Sequence, residues 1–157
     1  MKAVTLWQPW ASLIALGLKS IETRRHNRFA SLKGQRIAIH AGYRFDSDAF
    51  GWIAESQGFE PTVESVKGVP IIGAFTLYHL ASANLWVRGC VIATADVADV
   101  RMLTADDSKA ACCAAEGLYG LVLRDVRPVL PIIPHSGRQG IWEWKDGIQD
   151  VIDRHGI

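Results

Sequence analysis

One short segment near the start of the chain constrains the fold more than any other. Pro9 suits the first turn of a helix, where its missing N–H removes no hydrogen bond. Trp10, Leu13 and Ile14 recur at the helical spacing that creates one apolar face. Gly17 continues that spacing and is the residue type that most readily ends a helix in a left-handed conformation. The segment therefore predicts a short amphipathic helix between Pro9 and Gly17.

A strand is predicted directly after this helix, over residues 20–25. Because side chains alternate across a strand, Glu22 and Arg24 would share one face. Lys19 lies at the junction between helix and strand, where side chains are usually exposed. Two cations and a carboxylate in one small region suit an anionic or nucleobase ligand. The alternative is that Glu22 and Arg24 only pair with each other and stabilise the strand.

Positive charge is concentrated in the first third of the chain. Residues 1–45 carry eight Lys and Arg against Glu22 alone, a net charge of +7, and since the whole chain carries +1 the remainder sums to −6. The densest cluster contains Arg24, Arg25 and Arg28. This asymmetry indicates a basic patch for nucleic acid or another polyanion. The alternative is a solvated loop whose cations pair with acids from later in the chain. Those acids are Asp96, Asp99, Asp106 and Asp107.

Composition agrees with one domain over residues 1–157. A chain of this length with 49% hydrophobic residues can bury a sizeable core. No apolar run reaches the roughly 18 residues that cross a bilayer, and the first residues are not a secretory signal, so no membrane partner is predicted. The three cysteines (Cys90, Cys112 and Cys113) lack metal-binding or disulfide-framework spacing and are predicted to be free thiols in the cytoplasm.

The remaining patterns favour an α+β fold, as a small curved β-barrel with helices at one end. We expect strands over 35–41 and 90–100, and a helix that starts at 46–48 and continues through Ala49, Phe50, Trp52 and Ile53. Residues 57–70 are loop-like at their edges, and the apolar stretch over 69–86 has no decisive periodicity, although a helix over 71–85 is preferred. A helix over 108–116 capped by residues 104–107 and an extended segment over 126–134 are expected after that.

Several other side chains are candidates for contact with a ligand. His40 ends a predicted strand and could serve as an acid or base near neutral pH, although a lone histidine there is more often structural. Tyr43 and Arg44 follow it as predicted loop residues that could stack on and grip a nucleotide. Most of the six tryptophans are expected in the core. Trp7 and Trp10, beside a predicted turn, are the best candidates for a base-stacking platform.

Several motifs that would indicate other chemistry are missing from the sequence. There is no phosphate-binding P-loop, no dinucleotide-binding glycine motif, no metal-ligand spacing and no nucleophile elbow. The sequence therefore predicts no cofactor and no metal. Arg138 and Gln139 lie between Gly137 and Gly140, where the backbone could approach a ligand closely.

The run from Leu6 to Arg24 resembles the signature of the ASCH domain, a relative of the PUA domain. Four later segments resemble the strands of that family in the expected order, at residues 36–41, 89–97, 117–123 and 137–144. The resemblance implies a small PUA-like β-barrel with flanking helices, and an insertion around residues 57–88. It also implies a cleft between the first helix and the barrel, lined by the Gly-x-Lys-x-x-Glu-x-Arg element.

ASCH and PUA domains are generally associated with RNA, so the resemblance implies nucleic-acid binding, most of all RNA, through a basic cleft. Lys19 could contact phosphate or act as a base, Glu22 could accept hydrogen bonds from a base edge, and Arg24 could hold phosphate in a bidentate contact. The residues predicted to bind are Trp7, Trp10, Lys19, Glu22, Arg24, Arg25, Arg28 and Arg44.

The resemblance also leaves a hydrolase open. Certain small bacterial ASCH proteins are amidohydrolases that act on N4-acetylcytidine, and others are ribonucleases. Lys19 matches the lysine of the amidohydrolase motif. This chain has Glu22 where that subgroup has threonine, and Ala93 and Thr94 lie where its catalytic carboxylate falls. A hydrolase would draw its general acid and base from Lys19, Glu22, His40 and Tyr43.

Overall fold

Six strands form one mixed sheet in the computed structural model of the protein, which describes residues 1–49, 64–66, 69–71, 86–132 and 134–145. In chain order the elements are β1 (Lys2–Gln8), α1 (Trp10–Ala15), β2 (Ile21–Arg24), β3 (Arg36–Phe45), β4 (Glu64–Val66), β5 (Val69–Ile71), β6 (Cys90–Met102), α2 (Ser108–Ala111), β7 (Tyr119–Pro128) and β8 (Ile141–Glu143). Short 3₁₀ helices span Ala30–Leu32 and Ala105–Asp107.

The order of strands across the large sheet is β2-β7-β6-β3-β1-β8. The β1–β3 pair is parallel and the other pairs are antiparallel. β2 and β8 form the two edges, and no strand pairing joins these edges within the described residues. The α+β architecture is therefore confirmed, whereas the closed barrel that the sequence predicted is not. β4 and β5 form a separate two-stranded sheet.

Both faces of the central strands are buried. Val4 on β1 packs into the main core, together with Ile37 on β3 and Ile14 on α1. The neighbouring residue Ala3 points to the opposite face and packs with Trp142 of β8. This alternation follows from the strand repeat of two residues, and it explains why β1 and β3 contain nearly continuous apolar runs. α1 covers one face of the sheet, and on the other face Trp142 of β8 packs with Ala38 and Val91.

The first predicted helix and strand agree closely with the structure. α1 is followed by Gly17 with φ +76°, as the helix-ending glycine predicts, and β2 lies within the predicted 20–25. The predicted strands over 35–41 and 90–100 are present but continue to Phe45 and Met102. β7 ends at Pro128, so the strand covers the first part of the predicted extended segment.

Three other predictions need correction. Thr104 and Asp107 form the capping box, but α2 ends at Ala111 because Cys112 adopts a left-handed conformation with φ +54°, so the predicted helix over 108–116 is wrong beyond residue 111. β5 occupies residues 69 and 70, at the edge of 57–70 that the sequence predicts to be loop-like, and β4 lies within that range. β5 also includes Ile71, the first residue of the predicted helix over 71–85.

The rest of that helix, most of the predicted insertion around 57–88, and the continuation of the predicted helix through Phe50, Trp52 and Ile53 lie outside the described residues. In the part of the chain that is described, no helix is both long and apolar enough to cross a membrane.

The packing around Gly120 leaves no room for a side chain at this position. A Cβ on this β7 residue would lie 2.5 Å from Leu103 Cδ2 and 2.8 Å from Ile21 Cγ2, and both neighbours are buried. We expect Gly120→Ala to lower the free energy of unfolding by about 1–3 kcal/mol, because the two side chains must leave their packed positions. Urea denaturation measures the change. An unchanged unfolding midpoint would show that the side chains around residue 120 can move aside freely.

Candidate functional site

Gln8, the last residue of β1, fixes the start of α1. Its side chain is fully buried, and its Oε1 accepts a hydrogen bond from the backbone N–H of Ser12 at 3.1 Å. Its Nε2 donates to the Ser12 hydroxyl at 2.7 Å and to the Val87 carbonyl at 2.6 Å. Gln8 thus satisfies one of the N–H groups that every helix leaves free in its first turn. The helix is thereby tied to the end of the strand that carries Trp7.

The turn at Gly17 places the Lys19 side chain on the buried side of α1. The backbone N–H groups of Leu18 and Lys19 both donate to the Leu13 carbonyl, at 2.9 and 3.1 Å. Lys19 is consequently only 2% exposed. The expectation of an exposed side chain at this junction is wrong, because the turn directs the chain back toward the protein instead of into solvent.

The buried Lys19 ammonium group has three partners. Its Nζ donates to the Ala111 carbonyl, lies 3.7 Å from Glu22 Oε2, and lies 5.0 Å from the centre of the Trp10 ring. Glu22 Oε1 lies 3.7 Å from Arg24 Nη2. Both ion pairs are longer than a hydrogen bond, so the carboxylate oxygens can still accept hydrogen bonds from a ligand. Glu22 therefore pairs with Arg24 and also lines a cleft.

Three clefts meet at Arg24, which lines all of them. The first cleft has a volume of about 410 Å³ and lies against Trp10, Lys19, Glu22 and Arg25. The second, about 570 Å³, lies between Arg28 and Gln139. The third, about 750 Å³, is lined by Thr5, His40, Tyr43, Arg44, Gly137 and Arg138.

The clefts also share walls other than Arg24. Thr5 and Trp7 line both the first and the third cleft, and Gln139 and Gly140 line both the second and the third. We call the three clefts together the groove. All of the residues that the sequence predicted to bind nucleic acid line it, namely Trp7, Trp10, Lys19, Glu22, Arg24, Arg25, Arg28 and Arg44.

The predicted catalytic residues do not share one cleft. Lys19 and Glu22 line the first cleft, whereas His40 and Tyr43 line the third. The sequence predicts these four as one set, and the structure divides them between two places joined through Arg24. Any single active centre would therefore use one pair or the other.

The cations of the first third of the chain fall into two groups, and those of the first group pair with carboxylates. Lys19 and Arg24 pair with Glu22, and Lys2 pairs with Glu143. Lys33 lies 2.8 Å from Asp99, and Arg36 lies 2.8 Å from Asp96, so these two follow the alternative in which cations pair with later acids. The other group is exposed and, within the described part of the chain, has no carboxylate within 4.0 Å. Its members are Arg25, Arg28 and Arg44.

The family model described as "ASCH domain" matches residues 4–131. The chain belongs to the ASCH domain family. Two solved structures share its fold: an ASCH protein from Zymomonas mobilis and a mutant form of the ASCH protein from that organism. The first has a TM-score of 0.54 and 18% identity, over 97% of this chain and 93% of the other. The second has a TM-score of 0.51 and 17% identity, over 98% and 94%. No curated protein matches the chain.

In this ASCH domain β3 continues past His40, so Tyr43 and Arg44 are strand residues and not loop residues. The small residues after His40 suggest a turn. Instead, Gly42 allows β1 to approach closely, because a Cβ there would lie 3.2 Å from the Leu6 carbonyl oxygen. Tyr43 and Arg44 are nevertheless exposed, and both face the third cleft.

His40 is buried in the wall of that cleft. Its Nε2 lies 2.8 Å from the His135 carbonyl, and its ring meets Trp142 edge-on with 5.6 Å between ring centres. Burial lowers the pKa of His40; its hydrogen bond to the His135 carbonyl raises it, and the charge of the His135 ring lowers it further. The net direction is downward, so the ring is neutral at physiological pH.

Sequence reasoning missed three residues of the site. Thr5 occupies an ordinary strand position, and Cys113 lies in a helix-prone segment; neither carries a local signal. The sequence predicts Asp46 only as a helix start, but its Oδ2 also accepts a hydrogen bond from Trp10 Nε1 at 3.2 Å.

Burial raises the pKa of the Cys112 thiol, and all three cysteines are free. Among the described residues, no cluster of His, Cys, Asp and Glu has metal-binding geometry.

Removing only one partner of the buried Lys19–Glu22 pair should strongly lower the stability of the fold. Glu22→Ala leaves the ammonium group of Lys19 buried without its carboxylate, and we expect the free energy of unfolding to fall by about 3 kcal/mol or more. The double variant Lys19→Met, Glu22→Ala removes the buried charge as well and should recover most of that loss. Urea denaturation of both variants measures the difference, and a double variant no more stable than Glu22→Ala would contradict the explanation.

The neutral His40 predicts a loss of stability in mild acid. Its folded-state pKa lies below the ordinary value of 6.5, so the unfolded chain binds the proton first as the pH falls. The stabilisation is complete above about pH 6.5 and is lost as the pH falls through the folded-state pKa. We expect the urea midpoint to decline in this range in the wild type and to decline less in His40→Gln. An equal decline in the two proteins would show that His40 does not cause the effect.

Proposed function

We propose that this ASCH domain binds nucleic acid, and RNA most of all, along the groove. The observation that carries the proposal is the position of Arg24. Its Nε is buried and has no hydrogen-bond partner within the described residues, although it lies where the three clefts meet. A buried donor without a partner is costly, and an anionic oxygen in the groove would satisfy it.

The charges around the groove support a ligand longer than one nucleotide. Arg25 belongs to the first cleft, Arg28 to the second, and Arg44 and Arg138 to the third. Successive phosphates of a single strand could therefore meet an arginine in each cleft. Such contacts release counterions, and their contribution to binding falls as salt is added.

Two exposed aromatic rings support single-stranded nucleic acid. Trp7 is 46% exposed and Tyr43 is 75% exposed, although large aromatic side chains usually lose more of their surface to the core. Both line the third cleft. Bases stack on such rings without regard to sequence.

The free cysteines fit a reducing compartment, so we propose that the protein acts in the cytoplasm.

A hydrolase is the second candidate, and the Lys19–Glu22 pair is the observation that favours it. A lysine and a carboxylate 3.7 Å apart line the first cleft, where they could exchange a proton with a bound substrate. The substrate would be RNA or a modified nucleoside such as N4-acetylcytidine. In this case the remaining cations of the groove would hold the rest of the substrate.

Binding predicts a specific dependence on salt. We expect a fluorescently labelled single-stranded RNA to bind with an affinity that falls as salt rises, measured by fluorescence anisotropy. Arg28→Ala should weaken binding and lower the slope of log affinity against log salt by about 0.7 for each phosphate that the variant no longer neutralises. Arg127→Ala is the matched control: it removes the same charge from an exposed residue that lines none of the three clefts. Equal effects of the two variants would argue against the groove.

The same protein distinguishes binding from hydrolysis. Incubation with RNA and with N4-acetylcytidine, followed by chromatography, detects turnover by the wild type. Retention of RNA with both substrates intact supports the binding module. Turnover that disappears in the double variant Lys19→Met, Glu22→Ala supports the hydrolase, because that variant is expected to fold.

A further inference from the structure

His40 offers a hydrogen-bond acceptor that no described residue uses. A carbonyl oxygen can only accept, so the Nε2 atom that faces the His135 carbonyl must carry the proton of the neutral ring. The other nitrogen, Nδ1, therefore has a lone pair and no proton. It is buried, and within the described residues it has no hydrogen-bond partner, while the whole residue is 1% exposed.

Thr5 offers a donor beside it. Its Oγ1 accepts a hydrogen bond from Trp142 Nε1 at 3.1 Å. An indole N–H can only donate, so the Thr5 hydroxyl keeps its own proton, and within the described residues that proton has no acceptor. Thr5 and Trp142 thus hold the hydroxyl in place and leave its proton available.

Gly137, which has no side chain, lies directly beside both of these groups. A Cβ on Gly137 would lie 2.5 Å from His40 Nδ1 and 2.8 Å from Thr5 Oγ1, so one methyl group would block both atoms. His40, Thr5 and Gly137 all line the third cleft. The acceptor and the donor therefore lie side by side in the wall of the third cleft, next to Gly137, and we call this place the recess.

The chemistry of the recess selects its occupant. A phosphate oxygen would only accept hydrogen bonds and would meet the lone pair of His40 Nδ1. An ammonium group would donate to Nδ1 but could not accept from Thr5. A hydroxyl group does both, because it can donate its proton to Nδ1 and accept the Thr5 proton. Exposed aromatic rings and arginines line the same cleft, as the base and phosphate of one nucleotide require.

We propose that His40 Nδ1 and Thr5 Oγ1 form a subsite for the 2′-hydroxyl of a ribose, by which the groove prefers RNA to DNA. This inference rests on the proposed function, because it assumes that a nucleotide occupies the third cleft. A 2′-hydroxyl is the group that distinguishes the two nucleic acids, and it both donates and accepts. His40 contributes as a neutral acceptor, and the lowered pKa of its ring keeps it so at physiological pH.

The test compares ribose and deoxyribose strands of one sequence, each labelled and measured by anisotropy at one salt concentration. We expect the wild type to bind the ribose strand more tightly by about 3- to 10-fold, the range of one or two neutral hydrogen bonds. His40→Gln can still donate to the His135 carbonyl but has no acceptor at the position of Nδ1, so the ratio should fall toward one. Gly137→Ala fills the recess and should lower the ratio in the same way.

Two controls isolate the subsite. Thr5→Ser keeps the hydroxyl and should keep the ratio, and Arg127→Ala should change neither affinity. A direct readout does not depend on variants: the ¹⁵N resonance of His40 Nδ1 should shift on addition of the ribose strand and not on addition of the deoxyribose strand.

The outcomes separate the two proposals. If the wild type binds neither strand, the proposed function fails. If it binds both strands with equal affinity, or if its preference for RNA survives in Gly137→Ala and the Nδ1 resonance does not move, the groove binds nucleic acid but the 2′-hydroxyl subsite is wrong.

Discussion

The burial of one ammonium group determines how the candidate site is assembled. A charge removed from water must be paired and hydrogen-bonded, or it destabilises the fold by several kcal/mol. Lys19 meets that requirement with the Ala111 carbonyl of α2, the Glu22 carboxylate of β2 and the Trp10 ring of α1. Three elements that could otherwise shift independently are thus held in one arrangement, and the first cleft is the space that remains between them.

The pairing of charges elsewhere concentrates positive potential in the groove. Lys33 and Arg36 are neutralised by aspartates of β6, so they add little to the field around the groove. Glu22 serves both Lys19 and Arg24, which leaves an excess of positive charge at the point where the clefts meet. The charge asymmetry of the sequence therefore becomes a localised field, and a cleft with low-dielectric walls strengthens such a field for an anionic ligand.

Sequence patterns identified the parts of the site that are local in the chain. The helix, its glycine and the alternation of Glu22 and Arg24 follow from spacing within about twenty residues, so they could be predicted. The burial of Lys19 depends on a carbonyl 92 positions later, and the recess at His40 depends on Gly137. No local pattern contains such contacts. Closure of the sheet into a barrel likewise concerns strands distant in sequence, and the described residues do not confirm it.

The parallel pairing of β1 with β3 and the antiparallel pairing of β1 with β8 unite the two ends of the described chain. Residues 136–140, which precede β8, form walls of the second and third clefts, and they lie beyond the span that matches the family model. Contacts across so long a stretch of chain form late in folding, since the entropy of closing the loop must be overcome first. The second and third clefts therefore depend on the late pairing of β8 with β1, whereas every residue that lines the first cleft lies at or before Leu118.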